Sequence, residues 1–226
     1  LNADDLKKSC AREALKHIKN NSIIGLGGGS TIAYLIDYIK ENNELNVKVV
    51  TPSIKTKLLC IKRGLEVLHT LAVDKIDIAF DGCDEVDEDL NALKSGGGIH
   101  TKEKLIANMA DEYVLLVDHS KLVKRLTFKH PVVLEILQDS LNYVSRKVEE
   151  LGGAISMRNS SAKDGFTISD NGNLLMDVRF SNVNSIKELE NKLKDICGVV
   201  DISLFTKVVT KAIVVSEKGV KIISKN

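Results

Sequence analysis

The sequence predicts an α/β fold: a Rossmann-like, doubly wound and mostly parallel sheet, with a smaller α+β domain inserted before its last strands. Three observations predict it. Over residues 22–117 short apolar runs alternate with stretches whose apolar residues recur at helical spacing, as in a parallel sheet covered on both faces. From residue 131 to 205 the order becomes β-α-β-β-α-β, the split-βαβ arrangement of ferredoxin-like layers. Finally, KAIVV and VKII flank SEKG near the C-terminus, a hairpin able to return to the first sheet. The expected division is therefore 1–130 plus 206–226 for the main domain and 131–205 for the inserted one.

Taken in order, residues 1–20 form an amphipathic helix pattern without the apolar core of a signal peptide. SIIGL (22–26) reads as a buried strand. STIAYLIDYIKEN (30–42) reads as a helix with Ile32, Leu35, Ile36 and Ile39 on one face. VKVVT (47–51), IDIAF (76–80) and YVLLV (113–117) read as strands, and 53–63 and 99–110 as helices. In the inserted part, 131–137 is a strand and 139–153 a helix closed by glycine. AISMR (154–158), FTIS (166–169) and LLMDVRF (174–180) are strands, the last two joined by the turn signal DNGN (170–173). Ser185 and Glu188 have capping-box spacing at the start of helix 185–196. VVDISLF (199–205) reads as one strand.

Of 226 residues, 43% are hydrophobic and 28% charged, and the net charge is +1. That is ordinary for a globular protein and gives no reason to expect nucleic acid or a membrane as partner. No apolar run approaches the roughly 18 residues of a membrane span, and the expected compartment is the cytoplasm. Cysteines at 10, 60, 83 and 197 and histidines at 17, 69, 100, 119 and 130 lack metal-ligand or CxxC spacing. No metal site is expected.

Two glycine-rich segments carry the chemistry. GLGGGST (25–31) joins a buried strand to a helix, where free backbone N–H groups favour an anion, and Ser30 is the expected N-cap. It does not match a dinucleotide loop, because Ser30 stands at the third glycine and no acid ends the second strand. It is not a Walker loop either, lacking the lysine. The second segment is DGCDEVDEDLNALKSGGGIHTKEK (81–104). Asp81 ends a strand on the ligand side of the sheet, and a turn through Gly82 and Cys83 is expected to bring Asp84 near it. Asp87 and Glu88 are expected to be solvated. Gly96 to Gly98 are expected to form a nest of N–H groups beside Lys94, with Glu103 in the helix that follows. Lys121 lies at the end of another strand. Acids for hydroxyls, and lysines with N–H groups for phosphate, point to a phosphorylated polyhydroxy ligand.

GLGGGST, DGCDEVDEDLNALKSGGG, KEKLIA, VDHSK, DNGNLLMDV and GVVDISLF occur in this order across almost the whole chain. Together they resemble the type A ribose-5-phosphate isomerases. The resemblance implies an aldose–ketose isomerase of the pentose phosphate pathway, without metal or organic cofactor, working through an enediol. It implies Glu103 as the base between C1 and C2, and Asp81 and Lys94 as the groups at O1 and O2. Asp84 would assist ring opening. Substrate-binding positions would be Gly28, Gly29, Ser30, Thr31, Asp81, Gly82, Cys83, Asp84, Lys94, Ser95, Gly96, Gly97 and Lys121. It also implies a homodimer or homotetramer. Gly28 departs from the family's threonine, Ser95 from its glycine, and residues 128–136 from its proline-valine-glutamate block. The alternatives are a sugar-phosphate deaminase or lactonase, whose catalytic histidine pattern is absent, and a non-enzymatic sugar-phosphate sensor, which would have no need of Glu103.

Overall fold

The computed structural model describes residues 2–225, apart from the side chain of Lys163. Its helices are α1 Ala3–Leu15, α2 Ser30–Glu41, α3 Ile54–Lys62, α4 His100–Met109, α5 Leu141–Glu150 and α6 Ile186–Lys194. The strands are β1 Ile23–Leu26, β2 Lys48–Val50, β3 Glu66–Val67, β4 Ile76–Asp81, β5 Glu85–Asp87, β6 Ala92–Leu93, β7 Ala110–Asp118, β8 Leu122–Val123, β9 Val132–Ile136, β10 Ala154–Met157, β11 Asn159–Ser160, β12 Lys163–Phe166, β13 Leu174–Arg179, β14 Val199–Ile202, β15 Leu204–Phe205, β16 Lys211–Ser216 and β17 Gly219–Ser224.

The main sheet runs β17-β16-β7-β4-β1-β2-β3. All its pairings are parallel except the edge hairpin β16–β17. Alternation along β7 sorts its side chains to the two faces. Val114 and Leu116 pack with Leu35 and Ile36 of α2 and Cys10 and Ala14 of α1. Tyr113, Leu115 and Val117 pack with Ile106 and Ala107 of α4. Burial on both faces explains why these strands read as nearly continuous apolar runs. The strand order reverses between β1 and β4, and ligands in such sheets collect outside the strand ends at that reversal.

The smaller sheet runs β10-β13-β9-β14, antiparallel throughout. Its apolar face, with Leu134, Ile136, Met176 and Val178, is covered by Val144 and Val148 of α5 and Leu189 and Leu193 of α6. Ser185 caps α6 as expected, its side chain accepting the Glu188 N–H at 3.3 Å.

Several expectations are corrected. Ser30 does not cap α2. Gly29 does, at φ 98°, a left-handed value suited to glycine, and the Ser30 hydroxyl is left inside the first turn. Residues 166–169 are not a strand of the smaller sheet. Chain there pairs earlier, as β12 with β11, and only Ile168 bridges Leu174. VVDISLF is not one strand: Ser203 interrupts it, β14 staying in the smaller sheet and β15 joining a third, β15-β6-β5-β8. That third sheet takes β5 and β6 from the acidic segment, because Val86, Leu90, Ala92 and Leu93 are buried. Leu90 accommodates the turn between them at φ 63°.

Candidate active site

Three side chains meet beyond the C-terminal ends of β1 and β4. Asp81 ends β4, Lys94 follows β6, and Glu103 lies in the first turn of α4. All three are buried, at 3%, 5% and 7% exposure. The Lys94 Nζ lies 3.0 Å from Asp81 Oδ2 and 3.3 Å from Glu103 Oε1, and donates to the Gly82 carbonyl. Asp81 is fixed further by the Gly82 N–H at 2.8 Å and the Tyr113 hydroxyl at 3.0 Å. Glu103 Oε2 is buried with no hydrogen-bond partner.

The electrostatics follow from two acids sharing one cation in a dry place. Burial, then the neighbouring Asp81 carboxylate, push the Glu103 pKa up to about 8 against the pull of Lys94. Burial alone would depress the Lys94 pKa, but the two carboxylates outweigh it and hold the ammonium above the ordinary lysine range. Burial and Asp81 also push Tyr113 well above the usual phenol value, so it remains a donor. Glu103 is therefore a carboxyl whose proton is exchangeable near neutral pH, held against a permanent cation.

These groups line a cleft of about 560 Å³, with Gly28, Gly29, Gly82, Cys83, Asp84, Gly96, Gly97 and Lys121 from the sequence-predicted set. Asp84 accepts the Gly96 N–H at 2.9 Å. Lys121 donates to the Cys83 carbonyl at 2.8 Å. The Cys83 thiol is pushed up to about 12 by burial, so it stays protonated. Ser30 and Thr31 open into an adjoining hollow of about 230 Å³ shared with Gly28, Gly29, Lys121 and Lys7.

Three readings of the second segment are corrected here. Ser95 does not line the cleft, since its hydroxyl turns away to the Pro131 carbonyl at 2.5 Å. Gly96 to Gly98 do not form an open nest: the Gly96 N–H is bound to Asp84 and the Gly98 N–H to the Gly96 carbonyl at 2.8 Å. Asp87 is not solvated. It is 1% exposed and staples its own turn, accepting from the Asn91 and Asp89 N–H groups at 2.8 and 3.1 Å. Glu88 is exposed as expected.

Sequence reasoning also missed participants. Gly27 is required by contact, since a Cβ there would sit 2.0–2.5 Å from the Asp81 carboxyl atoms. Its place in a glycine run was the available signal. The apolar run YVLLV marks Tyr113 only as a strand residue. Lys7, on α1, and Asp170, on the DNGN turn, reach the hollow and the cleft from distant sequence positions, and the DNGN signal marks a turn but not its place beside the cleft.

Residues 48–219 match the family described as ribose 5-phosphate isomerase A (phosphoriboisomerase A). The chain belongs to the ribose 5-phosphate isomerase A family. The ribose-5-phosphate isomerase A of Methanocaldococcus jannaschii is 42% identical over 227 residues, covering 98% of this chain and 99% of that one. That of Thermococcus kodakarensis is 36% identical over 225 residues, covering 98% of both. Among solved structures, the M. jannaschii isomerase superposes with a TM-score of 0.92 at 40% identity, covering 99% of this chain and 100% of that one. A D-ribose-5-phosphate isomerase in complex with phospho-erythronic acid superposes at 0.94 and 34% identity, with full coverage of both. The isomerase family's main parallel sheet and smaller antiparallel sheet are thus the architecture found here.

Proposed function

We infer that this chain interconverts D-ribose 5-phosphate and D-ribulose 5-phosphate by proton transfer through an enediol(ate). The observation that carries this reading beyond family membership is Lys94 held between Asp81 and Glu103, with the Glu103 pKa near 8. As a carboxylate, Glu103 takes the C2 proton of the open-chain aldose. The electron pair moves toward C1=O1, and Lys94 stabilises the negative charge that develops on oxygen. Asp81 exchanges protons at O1 and O2, so that O1 gains one and O2 loses one. Glu103 returns its proton to C1, and the ketose is complete. Asp84, held by Gly96, would assist opening of the furanose ring. Ser30, Thr31, Lys7 and Lys121 suit the phosphate, being hydroxyls and cations around a hollow at a helix N-terminus.

The reading carries further expectations: a free sugar phosphate as partner, no required metal or organic cofactor, the cytoplasm as compartment, and a homodimer or homotetramer. Among the described residues no helix is long and apolar enough to cross a membrane. The deciding experiment is NMR of the purified protein with ribose 5-phosphate in D₂O containing EDTA. Ribulose 5-phosphate with solvent deuterium at C1 or C2 is the expected result. No turnover despite saturable binding would overturn the isomerase in favour of a sensor.

A further inference from the structure

The DNGN turn between β12 and β13 has no part in the chemistry above, yet a buried charge is devoted to it. Glu135, in the middle of β9, is 1% exposed. Its Oε1 accepts hydrogen bonds from Ser169 Oγ at 2.7 Å, Asn173 Nδ2 at 2.8 Å and Asn171 Nδ2 at 3.0 Å, all from the one turn. Burial alone would push the Glu135 pKa up, but the hydrogen bonds it accepts outweigh burial and keep it an anion. The turn is already closed by its own backbone, Ser169 N–H to the Asn173 carbonyl at 2.8 Å and Gly172 N–H to the Ser169 carbonyl at 2.9 Å. An asparagine–glycine turn needs no buried carboxylate to form. Glu135 therefore determines where the turn sits, not which turn it is.

Where it sits is the cleft. Asp170 lines the same wall as Asp81, Lys94 and Glu103. It pairs with Lys102, the residue before Glu103, at a long 3.4 Å with both side chains about one-third exposed. The hollow around Ser30 and Thr31 does not include Asp170. A sugar with its phosphate in that hollow would extend into the adjoining cleft that Asp170 lines.

We propose that Asp170 is a specificity-determining residue that accepts a hydroxyl of the bound sugar phosphate outside the reacting C1 and C2, and that Glu135 is the positioning residue that holds it there. The proposal rests on the isomerase reading. Its test is steady-state kinetics with ribose 5-phosphate for the parent, Asp170→Ala, Glu135→Gln and the double variant, with folding checked by circular dichroism. Losing a hydrogen bond to a charged acceptor raises KM about tenfold, with kcat changed less than about twofold, because the contact is made in ground and transition states alike. Glu135→Gln leaves the three donors a neutral carbonyl oxygen in place of a charged acceptor, which weakens the hold on the turn and gives part of the rise in KM. The double variant is no worse than the larger single one, since both act through one contact. A parent-like KM for Asp170→Ala in an active parent overturns the proposal, as does full additivity of the two changes. If Glu135→Gln does not fold, Asp170→Ala on the half-exposed turn decides alone. No turnover by the parent overturns the isomerase reading and this proposal with it.

Discussion

Glu103 has two pH dependences of opposite use. As a base it must be ionised, so kcat/KM should rise with pH through neutrality and level off above about 8. Glu103→Gln should lower kcat by roughly 10²–10⁴-fold and abolish that rise, as a pH–rate series would read. Stability runs the other way. Between the ordinary glutamate value and about 8 the folded state binds the proton and the unfolded state does not, so stability falls as pH rises through that window. The glutamine variant should flatten this slope, and its advantage in Tm over the parent should grow from pH 5 to pH 8. Gly27 gives a steric test: Gly27→Ala places a methyl group against the Asp81 carboxyl. Displacing that group by about 1 Å should cost about 10²-fold in kcat/KM, with circular dichroism unchanged. Asp81, Lys94 and Glu103 were legible because strand-end position and glycine punctuation locate backbone. Ser95 and Asp87 were not, because which way a side chain turns depends on partners remote in sequence, here Pro131, or on a turn whose closure the letters do not display.

At the level of elements, α4 is held by a second lysine. Lys104 is 3% exposed and donates to Asp201 Oδ1 at 2.8 Å and to the Ile202 and Leu204 carbonyls at 2.6 and 3.0 Å. Its Nζ also lies 4.8 Å from the centre of the Phe205 ring. It ties the helix bearing Glu103 to β14 and β15. Lys104→Ala should cost about 3–5 kcal/mol in urea unfolding, since it leaves the buried Glu190 without its cation and Asp201 with only the longer 3.8 Å pair to Lys194. The helices and long strands were readable because periodicity survives wherever one face is buried. The two-residue strands β6, β8 and β15 were not, since two residues carry no period. The acidic run hid β5 for a further reason. Glu85, one of that run of acids, is fully buried, accepting the Thr127 N–H and hydroxyl at 2.7 and 2.6 Å.

Across the whole molecule, the reversal of strand order at β1 and β4 gathers Asp81 from the main sheet, Lys94 from the third sheet and Glu103 from α4. The alternation of strands and helices announced that crevice. The third sheet, built from β5, β6 and β8 together with β15 from far along the chain, could not be seen in any one window of sequence. Thiol accessibility tests the packing of the whole. Cys10, Cys60 and Cys83 are buried, with pKa values pushed up to about 12, 11 and 12, and Cys197 is exposed. A thiol reagent at pH 8 should titrate one group per native chain and four after denaturation. Faster labelling of a second thiol would mean that the cleft or the main core opens. The interruption at Ser203 has a further consequence. That residue exchanges hydrogen bonds with Val133 through its N–H and hydroxyl, at 2.8 Å each, and its carbonyl receives the Lys94 N–H at 2.9 Å. One residue thus rivets two sheets together, and the number of residues between β14 and β15 acts as a gauge for the height of the lysine. A shorter or longer spacer would leave each sheet intact and still set Lys94 at the wrong level, so this stretch should tolerate changes of letter far better than changes of length.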